Sequence, residues 1–426
     1  MSAAYYNAIG IQSETETGYT PQVQTSKPAT VSRKPNPARS PIWIGAGIFT
    51  CACFGIMLLS AMGISAVSFL PNLRNQQPTA TIDPHAGHII PDATDSGAIP
   101  DTGGTSLIPV GTMRFQNGNS QMDQITISAS LDLPPEDKQY EAWLVDDKNE
   151  SSRSVGVLTE NSSGQYTLSY VDPQSQNLLG EFNRLEITLE PNPDNNPNSS
   201  RDVAYSATIP EGSLAHIRHL MFGTDETPGE IPVAVGLINN TTLIQKSADA
   251  MMEAYNNGDQ ATVKSNAEAI VNLIVGKEDT QYYSDLDGNG TINDPGDGFG
   301  LLINGSQAGY LDDMIHHSSY AAKETGATDF IKLHAGHVEI CIANLEGWSS
   351  ELRDLALRIA GSNKGQDIEA DVKRATVLAN QMLDGIDIDG NESVDPIEGE
   401  GGAVTAFEHA QYMSDMPIYP GDGSTP

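Results

Sequence analysis

Two acidic strings, about a hundred residues apart, carry the residue types and spacing of calcium ligands. The first is Asp285-Leu286-Asp287-Gly288-Asn289-Gly290-Thr291-Ile292-Asn293-Asp294. Side-chain oxygens recur at every second position through Asp285, Asp287, Asn289, Thr291 and Asn293, with Gly290 placed for a tight turn. Such a string suits a hard cation that takes six to eight oxygens in loose geometry. The twelfth position, where a bidentate glutamate belongs, is Gly296, so Asp294 or Asp297 is expected to complete the set. The second string offers Asp387, Asp389, Asn391, Ser393, Asp395 and Glu398. Its twelfth position is acidic, but Glu392 stands where a glycine should make the turn.

Each string is followed by a glycine cluster, at 296–300 and 399–402, and then by a helical stretch carrying Tyr, His and Met. This shared context implies an internal duplication of helix, calcium loop, glycine turn and helix. The loops resemble those of EF-hand and dockerin-like modules. Strings of Asp, Gly and Asn also form ordinary turns, and the matching contexts favour the metal reading. Extracellular calcium modules bind at about 10⁻⁴ to 10⁻³ M, which suits structural staples. An ion held only by the folded state stabilises it through linkage.

A second chemistry belongs to histidines at helical spacing. His334 and His337 share a helix face, His316 and His317 lie on the preceding helical stretch, and His409 lies on the last. Helices of a bundle can converge such groups on a transition metal or haem iron. Helical histidines also pair with acids or face solvent, and acids are abundant here. Cys341 falls one turn beyond His337 and is expected as a buried, inert thiol. A phosphate-binding Gly-x-x-x-x-Gly-Lys-Ser/Thr loop, a Gly-x-Ser-x-Gly elbow and a His-Glu-x-x-His motif are all absent from the sequence, and no enzyme activity is expected.

The elements that must position these residues read as helices beyond residue 213. Leu237, Ile244, Ala248, Met251 and Tyr255 share one face of a helix over 233–257, which Gly258 ends. Asp259 caps the next, with a stripe of Val263, Ala267, Ile270, Val271 and Ile274 before Gly276. Further helices are expected over 311–325, 328–360 with a break at Gly347, 367–383 and 403–416. Together they make an all-α helical domain over 213–416, with 417–426 as a disordered tail.

Over 107–209 the apolar period is two. Ile125, Ile127 and Ala129, then Tyr140, Ala142 and Leu144, then Leu185, Ile187 and Leu189 alternate with polar residues, in short runs separated by turn residues. About seven strands and an all-β sandwich over 106–212 are expected. The runs Tyr140-Glu141-Ala142-Trp143-Leu144-Val145, Ser154-Val155-Gly156-Val157-Leu158 and Leu185-Glu186-Ile187-Thr188-Leu189-Glu190-Pro191 resemble the exterior C-terminal domain of membrane-bound anti-sigma-K factors. The resemblance implies an exterior regulatory module. In that family a cytoplasmic domain holds a sigma factor, commonly through a His-x-x-x-Cys-x-x-Cys zinc motif. Residues 1–40 contain neither His nor Cys, so the expectation concerns the fold and topology of 107–210, and sigma-factor binding is not assigned to the tail.

Before the strands, residues 42–70 contain no Asp, Glu, Lys, Arg or His, a length sufficient for one transmembrane helix. Lys27, Arg33, Lys34 and Arg39 precede this run and Arg74 follows it, which places the N-terminus in the cytoplasm and the folded part outside the plasma membrane. Residues 1–40 read as a disordered tail and 72–105 as a flexible linker, in which His85-Ala86-Gly87-His88 repeats the His-Ala-Gly-His of 334–337. Beyond residue 74 there remain 17 basic and 54 acidic groups, which excludes nucleic acid as a partner. Cys51 and Cys53 lie in the apolar run, leaving Cys341 alone beyond it, so no disulfide staples the exterior part. The expected protein is a single-pass envelope protein with a calcium-stabilised sensor or interaction module and an unidentified envelope partner. The alternatives are a calcium-dependent adhesion or docking protein and a metal- or haem-binding protein.

Overall fold

The computed structural model describes residues 108–423. The run at 42–70 expected to span a membrane lies outside these residues, as do the expected tail at 1–40 and linker at 72–105. Among the described residues no helix is long and apolar enough to cross a membrane, so the one-span architecture is corrected as a description of this fold.

The strands are β1 (Gly111–Gln116), β2 (Gln124–Ala129), β3 (Lys138–Asp146), β4 (Ser151–Val157), β5 (Thr159–Glu160), β6 (Tyr166–Val171), β7 (Arg184–Pro191), β8 (Val203–Thr208) and β9 (Met416–Pro420). They form one antiparallel sheet in the order β4-β3-β7-β8-β9-β1-β2-β6-β5. The strands at its two ends, β4 and β5, are separated in the chain by Leu158 alone, whose N–H donates to Tyr140 O at 3.0 Å. The chain therefore steps from one edge of the sheet to the other, and the sheet curls into a nearly closed barrel. This corrects the expected sandwich. Alternating apolar residues bury one face in either architecture, so a period of two does not separate them.

Barrel continuity also depends on β9, which lies between β8 and β1 with Ile418 opposite Gly111 and Tyr205 opposite Pro420. Residues 417–420, expected to open a tail, are part of this strand, and Met416 and Ile418 are fully buried. The barrel is thus completed only after the chain has built its helices.

A short helix α1 (Leu178–Glu181) joins β6 to β7. Seven more helices fill the connection from β8 to β9: α2 (Glu211–Met221), α3 (Val233–Asn256), α4 (Gln260–Val275), α5 (Gly309–Lys323), α6 (Asp329–Ala360), α7 (Glu369–Asp384) and α8 (Ala403–Tyr412). The expected apolar stripes point inward: Leu237, Ile244, Ala248 and Met251 on α3, and Val263, Ala267, Ile270 and Ile274 on α4, are each at most 1% exposed. Asp259 caps α4 by accepting from Thr262 N, and Thr328 caps α6 by accepting from Ile331 N. Helix α6 runs unbroken through Gly347 for 32 residues, where a break was expected. A single glycine costs a helix only about 1 kcal/mol, and apolar packing on both sides of it offsets that.

One contiguous apolar core includes both barrel and helix residues, so 106–212 and 213–416 do not hold separate cores. Polar ties reinforce the junction. Gln121 Nε2 and Asn177 Nδ2 donate to Met221 O, one of the last carbonyls of α2, at 2.8 and 3.1 Å. Arg114 of β1 forks onto the buried carboxylate of Asp415, with contacts of 2.7–3.1 Å, and its guanidinium lies 4.3 Å from the Tyr412 ring centre.

Candidate metal centres

Both acidic strings fold into the turn that their spacing implies. In the first, the Asp285 carboxylate accepts from the backbone N–H groups of Gly288, Asn289 and Gly290 at 2.7–3.1 Å. Asp287 Oδ1 accepts from Asn289 N and Asn289 Oδ1 from Thr291 N, at 2.8 and 2.9 Å. In the second, Asp387 accepts from Gly390 N and Glu392 N, Asp389 from Asn391 N, and Asn391 from Ser393 N, at 2.6–3.0 Å. Glu392 adopts φ +71°, the left-handed conformation that Gly290 reaches at φ +93° without a Cβ. The turn therefore forms despite its side chain.

The completing carboxylates are not those expected from sequence. In the first loop one oxygen each from Asp285, Asp287 and Glu268 lie within 4.8 Å of one another. Glu268 comes from α4, is fully buried, and accepts from Leu286 N, Asp287 N and Asn293 N at 2.7–2.9 Å. Asp294 instead accepts from Tyr283 Oη and Gly296 N, and Asp297 from Tyr310 Oη and Phe299 N. In the second loop Asp387 and Asp389 converge with Glu400, whereas Glu398 is exposed. Glu400 is fully buried and accepts from Asp395 N at 2.6 Å. Asn293 donates to Ser265 on α4, while Asn391 and Ser393 both donate to Asp395.

Glu268 sits seventeen residues before its loop, in the middle of an apolar helix stripe, so the spacing rule for a calcium string passes over it. Glu400 lies two residues past the expected position, after the extra turn at Ile397. The one signal for either was a lone acid among apolar or glycine neighbours. Among the described residues, no Lys or Arg forms an ion pair with any of these six carboxylates. Three carboxylates drawn together without a cation repel one another.

The two loops also share their setting. Helices α4 and α7 both end on a glycine with φ +77°, Gly276 and Gly385. The chain returns to each of these glycines, at Gly300 and Gly402, so closely that an added Cβ would meet the Gly276 or Gly385 nitrogen at 2.6 Å.

All seven histidines of the described residues gather in two places. The His334 and His337 pair on α6 meets His409 on α8, with Nδ1–Nδ1 separations of 2.9 Å (His334–His409) and 3.3 Å (His337–His409). A second pair, His216 and His219 on α2, meets His317 on α5, with His216 Nδ1 3.2 Å from His317 Nδ1. His317 Nε2 lies 3.1 Å from Glu226 Oε2. His317 and His409 are each 1% exposed, and burial holds the His317 imidazole well below its ordinary pKa, in its neutral form. His316 points outward and stacks edge-on against Tyr320. The expected residues thus divide between two clusters, and sequence reading missed His216, His219 and Glu226. The spacing His-x-x-His at 216–219, the same as at 334–337, was the available signal.

The barrel with its helical insertion defines the class: an antiparallel β module whose sheet is closed by a strand from the far side of a helical repeat. Residues 61–202 match the family model described as anti-sigma-K factor rskA, C-terminal. The match covers about a third of the chain, and this part is similar to the C-terminal domain of anti-sigma-K factors. The match ends one residue before β8, so the helices, both loops and both histidine clusters lie beyond it. No curated protein and no solved structure gives a significant match.

Proposed function

We propose that this chain is a non-catalytic, calcium-stapled sensor or interaction module of the cell envelope, built on an anti-sigma-factor-related barrel. The observation that carries the calcium half is the pair of three-carboxylate clusters, each including a fully buried glutamate and none paired with a basic side chain among the described residues. A divalent ion in each loop neutralises that charge and bridges the loop to the helix or turn that holds the glutamate. The family match over 61–202 supports the regulatory half. An open groove of about 1240 Å³ at the junction of barrel and helices, lined in part by Asp147, Arg218 and half-exposed Phe222, offers a surface for a partner. Placement of the module outside the plasma membrane is supported by sequence: the charge-free run and the basic residues preceding it.

The test is a thermal melt of the full chain in Ca²⁺ and in chelator, with a pull-down from envelope extract under both conditions. A melting temperature that rises with Ca²⁺ and a partner retained only in Ca²⁺ support the reading. Identical melts in both buffers reject it.

A further inference from the structure

The two histidine clusters share a ring arrangement. In one, ring centres of His334–His409, His337–His409 and His334–His337 are 5.1, 4.6 and 5.7 Å apart, with interplanar angles of 27°, 76° and 75°. In the other, the corresponding pairs His216–His317, His219–His317 and His216–His219 are 5.5, 4.6 and 6.4 Å apart, at 38°, 88° and 81°. Each triad takes two histidines three residues apart from one helix and a third from the helix that follows an acidic loop. Each third histidine is followed three residues later by a tyrosine, Tyr320 or Tyr412, whose ring packs on the first histidine at 5.4 or 5.2 Å. A duplicated side-chain constellation of this kind is not what core packing requires, since aliphatic residues fill such positions at lower cost.

The geometry points to a pair of transition-metal sites, one at His334, His337 and His409 and a second at His219, His317 and Glu226, each taking a divalent ion of the Zn²⁺, Cu²⁺ or Co²⁺ class. Imidazole nitrogens suit these ions. Tetrahedral ligation with metal–nitrogen bonds of about 2.0–2.1 Å separates ligand nitrogens by about 3.3 Å. The Nδ1 separations of 2.9 and 3.3 Å in the first triad lie close to that. A ring nitrogen has one lone pair or one hydrogen, so His409 Nδ1 cannot complete well-formed hydrogen bonds to two other ring nitrogens at once. An ion that takes a lone pair from each removes the conflict.

In the second site, His219 Nδ1 is buried and has no hydrogen-bond partner among the described residues. There one donor atom each of His219, His317 and Glu226 lie within 4.8 Å of one another, with His317 Nε2 3.1 Å from Glu226 Oε2. Glu226 is thus the oxygen ligand of the second site, and His216 stands outside that set. The site class differs from the acidic loops: nitrogen donors select these ions over Ca²⁺, which takes oxygen.

The experiment uses the full chain, stripped with chelator and held in a large excess of Ca²⁺ so that the oxygen loops are not available to the probe. Co²⁺ is titrated in, with absorbance read for its visible ligand-field bands and bound metal measured after dialysis. Two ions per chain are expected, falling to one in His409→Gln, one in His317→Gln and none in the double variant. Because His409 and His317 are buried, His337→Gln and Glu226→Gln provide gentler tests, each weakening one site roughly tenfold or more. The proposal is overturned if the wild-type chain retains no Co²⁺. It is also overturned if the folded variants bind as much Co²⁺, as tightly, as the wild type.

Discussion

Glu268→Gln separates the calcium reading of the first loop from a purely structural one. The amide keeps the shape of the carboxylate but removes its charge. Its oxygen can still accept from Asn293 N, while its NH₂ faces the N–H groups of Leu286 and Asp287 that the carboxylate now receives. The metal-free protein therefore loses stability as well, so the informative quantity is the rise in melting temperature from chelator to Ca²⁺. With a dissociation constant near 10⁻⁴ M and about 10 mM Ca²⁺, each occupied site adds about 2.7 kcal/mol. An unfolding entropy of about 2 cal/mol/K per residue over roughly 300 residues converts this to about 4 °C per site, or about 8–9 °C for both. The single core makes one transition the appropriate description. Differential scanning calorimetry should show the full rise in wild type, about half of it in Glu268→Gln, and under about 1 °C in Glu268→Gln/Glu400→Gln. Asp297→Asn and Glu398→Gln should retain the full rise, because neither carboxylate joins a cluster. A full rise in Glu268→Gln, or a rise lost in Glu398→Gln, would refute the assignment.

Three further outcomes follow from named contacts. Gly402→Ala places a Cβ 2.6 Å from Gly385 N and 3.0 Å from Gln381 O and Met382 O, so it should destabilise by about 2 kcal/mol or more in urea melts; a loss within about 0.5 kcal/mol would contradict the close approach. Burial, then the charges of Glu226 and Asp312, push the Asp313 carboxyl from 3.8 up to about 7. Its contribution is fully present below about pH 4 and is lost as pH rises through about 7. In chelator, Asp313→Asn should therefore gain on wild type in urea midpoint from pH 5 to pH 8, and parallel curves would remove the explanation. Cys341 is fully buried and its thiol is pushed up to about 12, so with Cys51 and Cys53 replaced by Ser the native chain should give no titratable thiol and the unfolded chain one; prompt native labelling would show that α6 is accessible.

The parts of this fold that were legible are those set by local pattern. Alternation marked seven of the nine strands, and the stripes of α3 and α4, with their Asp259 cap and Gly276 stop, were correctly placed. Closure of the barrel was not legible, because it depends on an edge change at Leu158 and on pairing between β1 and a strand about three hundred residues away. The two-residue β5 and the Pro-containing β9 carry almost no alternation of their own. In the loops, Asp285, Asp287, Asp387 and Asp389 were readable because their spacing is local, whereas Glu268 reaches its loop only through the packing of α4. His216 and His219 were passed over for the same reason: nothing in the chain near 216 shows that α2 packs on α5.

The same local-to-distant relation orders the two kinds of side-chain cluster in each half of the helical region. Each loop leaves a helix at a glycine and returns to touch that glycine before the next helix begins, which fixes where α5 and α8 start. Those two helices carry His317 and His409, the third members of the triads. A loop that holds its closed shape therefore sets the approach of α5 to α2 and of α8 to α6. Repulsion among three carboxylates acts against that shape, and in each cluster the glutamate, Glu268 or Glu400, is buried while its two partners are half-buried or exposed. A cation bound in the loop would offset that repulsion and so would tighten the launch point of the histidine helix within the same half. In the closed loop shape the rings of His334, His337 and His409 already stand close together, which would lower the ordering cost of a metal ion binding there.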